Sequence, residues 1–297
     1  MQKLLKLFLC FMAGLVLLLS LFVILVVQGA FGRIPDDQSL KDIKNPIATE
    51  VYTADGILMG TYNIQNRQYL ESSEIPESLL NALVATEDVR FYNHRGIDTR
   101  SLFRVFFKTL LLRKEASGGG STLTQQLAKN LFPRSSTGFL SMPVNKVKEM
   151  ATARRMEKVY TKDEILLMYL STVPFGENTF GLKAASRRFF NKDPRNLSPE
   201  EEAVLVGMLK ATQTYNPVRN PESAKVRRNV VLDQMAKYGY MDVSEADSLQ
   251  LIPLVVDYHP LAHNAGFATY FLEFVGQELD AWCQEHKNIV SEAAKHA

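Results

Sequence analysis

The hydrophobic pattern opens with its longest feature: Leu7 to Val27 is twenty-one residues without a charge, interrupted only by Gly14 and Ser20. About twenty apolar residues at ~1.5 Å rise cross a ~30 Å hydrocarbon core. The run is apolar on every face, which a helix resting on a soluble core is not, so the pattern predicts a membrane-spanning helix. Lys3, Lys6 and the terminal amine precede it, whereas Arg33 is followed by Asp36 and Asp37. Cations gather on the cytoplasmic side of such a helix, which places residues 31–297 outside the cytoplasm. A cleavable signal peptide has a shorter apolar region and a small-x-small site. Val27-Gln28-Gly29 makes that site poorly, so an uncleaved anchor is expected. Cys10 begins the run instead of ending it, which removes a lipoprotein signal.

Beyond a polar stretch to Asn45 the pattern changes. Thr49–Thr53 and Ile57–Tyr62 flank Ala54-Asp55-Gly56, and Asp-Gly between β-rich runs signals a hairpin. After Ile75 the punctuation is helical. Thr161-x-x-Glu164, Ser198-x-x-Glu201 with Pro199 at the first helical position, and Asp242-x-x-Glu245 read as capping boxes. Asn220-Pro221 opens a further helix that Gly239 closes. Residues 75–250 are thus expected to be mainly helical, with long loops near 114–122, 133–143 and 173–179 and no internal repeat.

Composition adds limits. A chain of 297 residues, 46% apolar and 22% charged, has an ordinary globular balance, which excludes disorder and low-complexity fibre. Cys10 lies in the apolar run and leaves Cys283 without a partner, so no disulfide is expected. The net charge of +2 hides an asymmetry: between Arg100 and Lys158 twelve lysines and arginines meet only Glu115, Glu149 and Glu157, leaving that segment at +9 and the rest of the exported chain at −9. Such a segment suits an anionic partner. Extracytoplasmic topology disfavours nucleic acid.

Several polar positions could carry chemistry. Pro76, Leu80, Leu83 and Glu87 are spaced 4, 3, 4, which puts Glu87 on an apolar helix face at the carboxyl end. Burial and the helix dipole would both raise its pKa toward the range of a general acid or base. A frayed, solvated helix end is the other reading. Against it stands Asp88-x-x-Phe91-x-x-His94-x-Gly96, which suggests an ordered turn. Ser117-Gly118-Gly119-Gly120-Ser121-Thr122 leads into a helix start with free backbone N–H groups, a natural anion site. No Gly-Lys-Ser/Thr follows, which excludes a nucleotide P-loop. On that helix Gln125, Gln126, Lys129 and Asn130 form either one polar cluster or a solvated face. Lys146 and Glu149, three apart, share a helix face from about Pro143 to Tyr160, as a functional or an ordinary surface pair. His259-x-x-x-His263 has ligand spacing, but Pro260 intervenes and no acidic third ligand is near; Cys283-x-x-His286 is a single pair. No metal site is certain.

Taken in order, these segments resemble the peptidoglycan glycosyltransferases of family 51, found as monofunctional enzymes and as the first catalytic domain of class A penicillin-binding proteins. Glu87 to Gly96 is similar to the family's first motif, and Gly119 to Asn130 to its second. Lys146-Val147-Lys148-Glu149 resembles the third, Lys162 through Tyr169-Leu170-Ser171 the fourth, and Arg227-Arg228-Asn229-Val230-Val231-Leu232 the fifth. The five cover about residues 47–240. Two positions depart: Asn145 stands where the third motif usually has arginine, and Ser171 where the fourth usually ends in asparagine. Arg134, in the preceding loop, is expected to supply the missing guanidinium.

The resemblance implies a mainly α, lysozyme-like fold of two lobes with one lobe resting in the membrane. Ser101–Leu112 agrees, since it mixes large apolar residues, Phe106 and Phe107 among them, with Arg104 and Lys108, a composition for the headgroup boundary. It divides the chain into a cytoplasmic tip and anchor at 1–30, a linker and hairpin at 31–72, the glycosyltransferase domain at 73–240, and a connector toward a missing transpeptidase domain at 241–297. Without Ser-x-x-Lys or Lys-Thr-Gly, the chain is expected to be a fragment rather than a complete monofunctional enzyme. The implied reaction polymerises glycan strands from lipid II, an inverting β-1,4 transfer with undecaprenyl diphosphate as leaving group, in the bacterial cytoplasmic membrane with the catalytic domain outside. Glu87 would be the base, with Glu149 as partner of Lys146, ligand of an optional divalent cation (Mg or Mn; no cofactor is required), or acid. Asp88, Phe91, His94, Gly120, Ser121, Thr122, Gln125, Gln126, Lys129, Asn130, Arg134 and Lys146 would meet substrate. Expected partners are lipid II and the growing glycan chain, membrane lipid and other cell-wall synthesis proteins. The alternatives are a lytic muramidase, which has no use for a cationic cluster, and a non-catalytic scaffold, which would be expected to have lost Glu87 or Glu149.

Overall fold

A computed structural model describes residues 2–43, 49–52, 54–55, 58–62, 70–112, 120–132, 134–259, 274, 277–278, 281–282 and 284–286. The apolar run forms helix α1 (Gln2–Val27), long and apolar enough to cross a membrane and exposed along almost its whole length. Its 26 residues span about 39 Å at 1.5 Å each. A turn closed at Gly29 and Gly32, both at positive φ, leads to a short helix α2 (Asp37–Lys41), capped by Asp36 through the Ser39 N–H. Strands β1 (Thr49–Tyr52) and β2 (Leu58–Tyr62) pair antiparallel as the Asp-Gly signal predicts, with a bulge at Val51/Tyr52.

The remaining helices form two groups. In one, α3 (Glu77–Glu87) packs on α9 (Pro199–Met208) and α10 (Pro221–Lys237). In the other, α5 (Leu123–Leu131) packs on α6 (Ser141–Val159) and α7 (Lys162–Thr172). Helix α4 (Thr99–Leu112) precedes the second group; α8 (Leu182–Phe190) joins the two, and α11 (Val243–Leu251) packs on α10. The mainly helical, two-part expectation holds. Its core is apolar, with Leu79, Leu83, Phe91, Leu123, Leu127, Tyr169, Phe189 and Leu232 fully buried.

Local signals explain most boundaries. The capping boxes at Thr161/Glu164 and Ser198/Glu201 form as read. Asp242 stands at the N-cap of α11 but makes no side-chain cap bond. Gly239, at φ +77, lets its own N–H reach Ala236 and that of Tyr240 reach Met235, the doubled closure that a left-handed residue permits at a helix end. Two of the three expected loops are shorter than the sequence suggests. Residues 113–119 lie outside the described residues; α6 starts at Ser141, with Pro143 in a first turn where its missing N–H costs little. Residues 174–180 form a small hairpin, β3 (Pro174–Gly176) and β4 (Thr179–Phe180), because Glu177 and Asn178 both take left-handed backbone. Packing also does not break at Tyr240: Arg228, fully buried, donates to the Gln250 and Ile252 carbonyls, and Tyr258 donates to Glu177.

One buried carboxyl joins α9 to α3. Glu202, 2% exposed, accepts from Ser78 Oγ at 2.9 Å, and burial pushes its pKa up to about 7. The folded state therefore holds a proton that the unfolded chain releases near pH 4.5. Stability from this group is full below that pH and is lost as pH rises through about 7, by an upper bound of roughly 3 kcal/mol. Glu202→Gln keeps the Ser78 bond and removes the titration. Its melting temperature should exceed that of the parent at pH 8 and match it near pH 5, as read by circular dichroism.

Candidate active site

Between the two helix groups lies a cleft of about 1190 Å³. Glu87, the last residue of α3, stands in its wall. Its neighbours are more polar than the helix spacing suggests. Gln126 Nε2 donates to Glu87 Oε2 at 3.0 Å, and Arg227 Nη2 lies 3.8 Å from Oε1. The other end of the Gln126 amide accepts from Tyr169 OH at 2.9 Å. Tyr169 is fully buried, and burial, reinforced by the Glu87 charge, holds its phenol far above the usual range. It therefore stays a neutral donor that fixes which way Gln126 faces, so that Gln126 offers its N–H to Glu87.

The second wall carries the cations. Lys146 Nζ donates to Ser121 Oγ at 2.6 Å and to Gln125 Oε1 at 2.8 Å, with Glu149 Oε2 at 3.6 Å. Burial lowers the Lys146 pKa, and the Glu149 carboxylate opposes that shift. Arg134 places Nε and Nη2 on Glu149 Oε1 at 3.1 and 2.7 Å. Glu149 is thus a buried carboxylate shared by two cations. Lys129, exposed, and Asn130 complete this wall beside Gly120, Ser121 and Thr122. The reading of 125–130 as one polar cluster holds: all four side chains line the cleft.

Asp88 lines the cleft beside Glu87 and also joins His94 in a buried cluster behind it. Phe91 and His94 are not in the cleft lining. His94 Nε2 contacts both Asp88 oxygens, at 3.1 and 3.0 Å, and the Leu123 N–H at the start of α5 donates to Asp88 Oδ2 at 3.0 Å. Phe91 is fully buried beneath Lys162 Nζ, 4.2 Å from the ring centre. Lys162 and Thr124 both donate to Glu157, which is itself buried. The helix start that reads as an anion site is therefore filled, at its first N–H, by the protein's own carboxylate. Gly96, at φ +82, closes the turn against the α6 backbone, where a Cβ would come within 2.7 Å of Ala153. Its carbonyl accepts from Thr122 and Gln125.

Asn145 and Ser171 are likewise turned from the cleft. Asn145 is buried and exchanges two bonds with the Ser135 backbone, at 2.9 and 2.8 Å; Ser171 Oγ returns to the Leu167 carbonyl. Arg134 does stand in the cleft lining, as expected. The side chains of 106–112, with Phe106 and Phe107, lie outside the described residues; before them, Phe103 is 65% exposed.

A third set includes Arg227 and Val230 of the fifth motif, to which the sequence assigns no part in the site. Arg227, Val230, Gln234 and Lys237 line the cleft from one face of α10, with Lys210 and Tyr215 beside them. Their spacing of 3, 4 and 3 was a helical stripe available in the sequence, but it lies outside the segment that charge counting singled out. The cleft therefore presents a carboxylate between cations from two sides.

A family model described as Transglycosylase matches residues 55–236. Penicillin-binding protein 1A of Escherichia coli K12 is 37% identical over 248 residues, 83% of this chain and 28% of that protein. Penicillin-binding protein 1A of Aquifex aeolicus is 36% identical over 262 residues, 88% of this chain and 35% of that one. The chain thus spans about a third of the length of these curated relatives. A crystal structure of penicillin-binding protein 1A from Haemophilus influenzae aligns with a TM-score of 0.44 at 23% identity, over 80% of this chain and 24% of that one, too loose a match to bear on the site.

Removing the Asp88 carboxylate leaves His94 and the Leu123 N–H unpaired in a buried position. Asp88→Ala should cost about 2–4 kcal/mol, seen as a lowered denaturation midpoint with helix content unchanged at low denaturant.

Proposed function

This chain belongs to the transglycosylase family, and we propose that it polymerises peptidoglycan glycan strands from lipid II by an inverting β-1,4 transfer. The observation that carries the reading is the cleft itself, with Glu87 held in hydrogen-bond contact on one side and Lys146, Arg134 and Lys129 gathered on the other. Glu87 takes the proton of the acceptor hydroxyl as that oxygen attacks the anomeric carbon, and the bond to the diphosphate oxygen breaks. Negative charge then grows on the leaving isoprenoid diphosphate, where cations already in place stabilise it without reorganisation. Glu149 acts by orienting Lys146 and Arg134. Its oxygens are engaged by those cations, Asp88 is bonded to His94 and Leu123, and among the described residues no three His, Cys, Asp or Glu side chains cluster. The donor set does not fit a divalent cation.

A lytic muramidase would use a carboxylate in a cleft but not cations on both walls. A scaffold would not need Glu87 fixed by a buried tyrosine through Gln126. In this proposal α1 anchors the chain with Lys3 and Lys6 in the cytoplasm, and 73–240 is the catalytic unit. Phe103 and its helix rest on the lipid from which substrate is drawn, and cell-wall synthesis proteins are partners.

Glu87→Gln keeps shape and should leave a folded protein whose glycan synthesis from lipid II falls on the order of 10²–10⁴-fold; normal synthesis would remove Glu87 as the base. Because burial lowers the Lys146 pKa, its ammonium is lost as pH rises before an ordinary lysine would lose it. Turnover should therefore decline on the alkaline side, and Lys146→Arg, which stays charged, should abolish that limb of the pH–rate profile.

A further inference from the structure

The turn that leaves α1 is bonded to the helix bearing Lys146 and Glu149. Lys148 Nζ donates to the Phe31 carbonyl and to Ser135 Oγ, each at 2.7 Å. Arg155 Nη1 donates to the Pro35 carbonyl at 2.7 Å, and Tyr160 OH to that of Leu40. Gly32, at φ +101, lies against Lys148 so closely that a Cβ would stand 3.0 Å from Nζ. From the same helix, Asn145 grips Ser135 through its backbone N–H and carbonyl. Ser135 is therefore held twice, by side chain and by main chain. The residue before it is Arg134, whose guanidinium meets Glu149 in the cleft although half its side chain is exposed. An exposed arginine held in one geometry gives up side-chain freedom, so its contribution depends on how firmly its loop is fixed.

We propose that Lys148 is a positioning residue for the cleft: by joining the α1 exit turn to Ser135 it holds Arg134 on Glu149 and aims the guanidinium at the diphosphate of an isoprenoid-linked substrate. The inference rests on the reading that Arg134 meets that diphosphate. Lys148 is not in the cleft lining, so any effect it has on binding must pass through the loop. The α1 exit turn then sets the geometry of the anion site as well as the attachment of the helix.

A double-mutant cycle on the full chain in detergent tests this, with farnesyl diphosphate as the calorimetric probe because it carries an isoprenoid diphosphate without sugars. Arg134→Ala should weaken binding by roughly tenfold, the worth of one charge-assisted contact. Lys148→Met should weaken it several-fold, and the double variant should bind no more weakly than Arg134→Ala alone, since residues acting through one another are not additive. Lys148→Arg should restore binding. Ser135→Ala, which removes one acceptor and is small enough to fold, should shift affinity the same way as Lys148→Met and supplies the test if that variant does not fold. Wild-type affinity in Lys148→Met or Ser135→Ala, or additive losses in the double variant, would overturn the positioning role while leaving Arg134 at the diphosphate. Wild-type affinity in Arg134→Ala would instead overturn the placement of Arg134, and the inference with it.

Discussion

The architecture of the cleft depends on one buried carboxylate in its wall. Asp88 follows the last residue of α3 and spends its charge on the first N–H of α5 and on His94. A carboxylate out of water is tolerable only when fully bonded, so the end of α3 and the start of α5 must come together. That junction places Glu87 beside Gln126 and orients the polar face of α5 into the cleft. A second buried carboxylate, Glu157, with Thr124 from α5 and Lys162 from α7, ties the rest of the helix group to the same point.

Around this fixed junction the cleft distributes its charge unevenly. Glu87 has an amide and a distant guanidinium for company, whereas Glu149 is enclosed by Arg134 and Lys146. Two carboxylates in one cavity thus acquire different environments, one with a single amide donor and one engaged by two cations. Lys146 is anchored mainly by neutral oxygens, from Ser121 and Gln125, which fix its position without cancelling its charge. An anion entering the cleft would meet cations whose hydrogen-bonding geometry is already set.

The sequence by itself determined what local chemistry determines. The apolar run forms a long helix able to cross a membrane, Asp-Gly turns a hairpin, and all three capping signals start helices where they are read, two of them as formed boxes. Gln125, Gln126, Lys129, Asn130, Lys146 and Glu149 were legible as neighbours because helical spacing puts their polar groups together, and Glu87 because spacing put a carboxylate at the end of an apolar helix face; all line the cleft. Direction was not legible. Phe91 and His94 belong to the same motif as Glu87 yet stand outside the cleft lining, and Asp88, which lines it, is bonded to His94 and to the α5 N-terminus, because the backbone turns at Gly96. Asn145 looked like a lost cleft contact and is a clamp on Ser135, a bond between positions ten residues apart that no periodicity encodes. Arg227 and the α10 stripe became part of the site only when α10 packed against α3 and met a cleft whose opposite wall lies about eighty residues earlier in the chain. Spacing along a helix fixes which side chains share a face; which face meets which is set by packing of distant segments, and only the tertiary structure decided it.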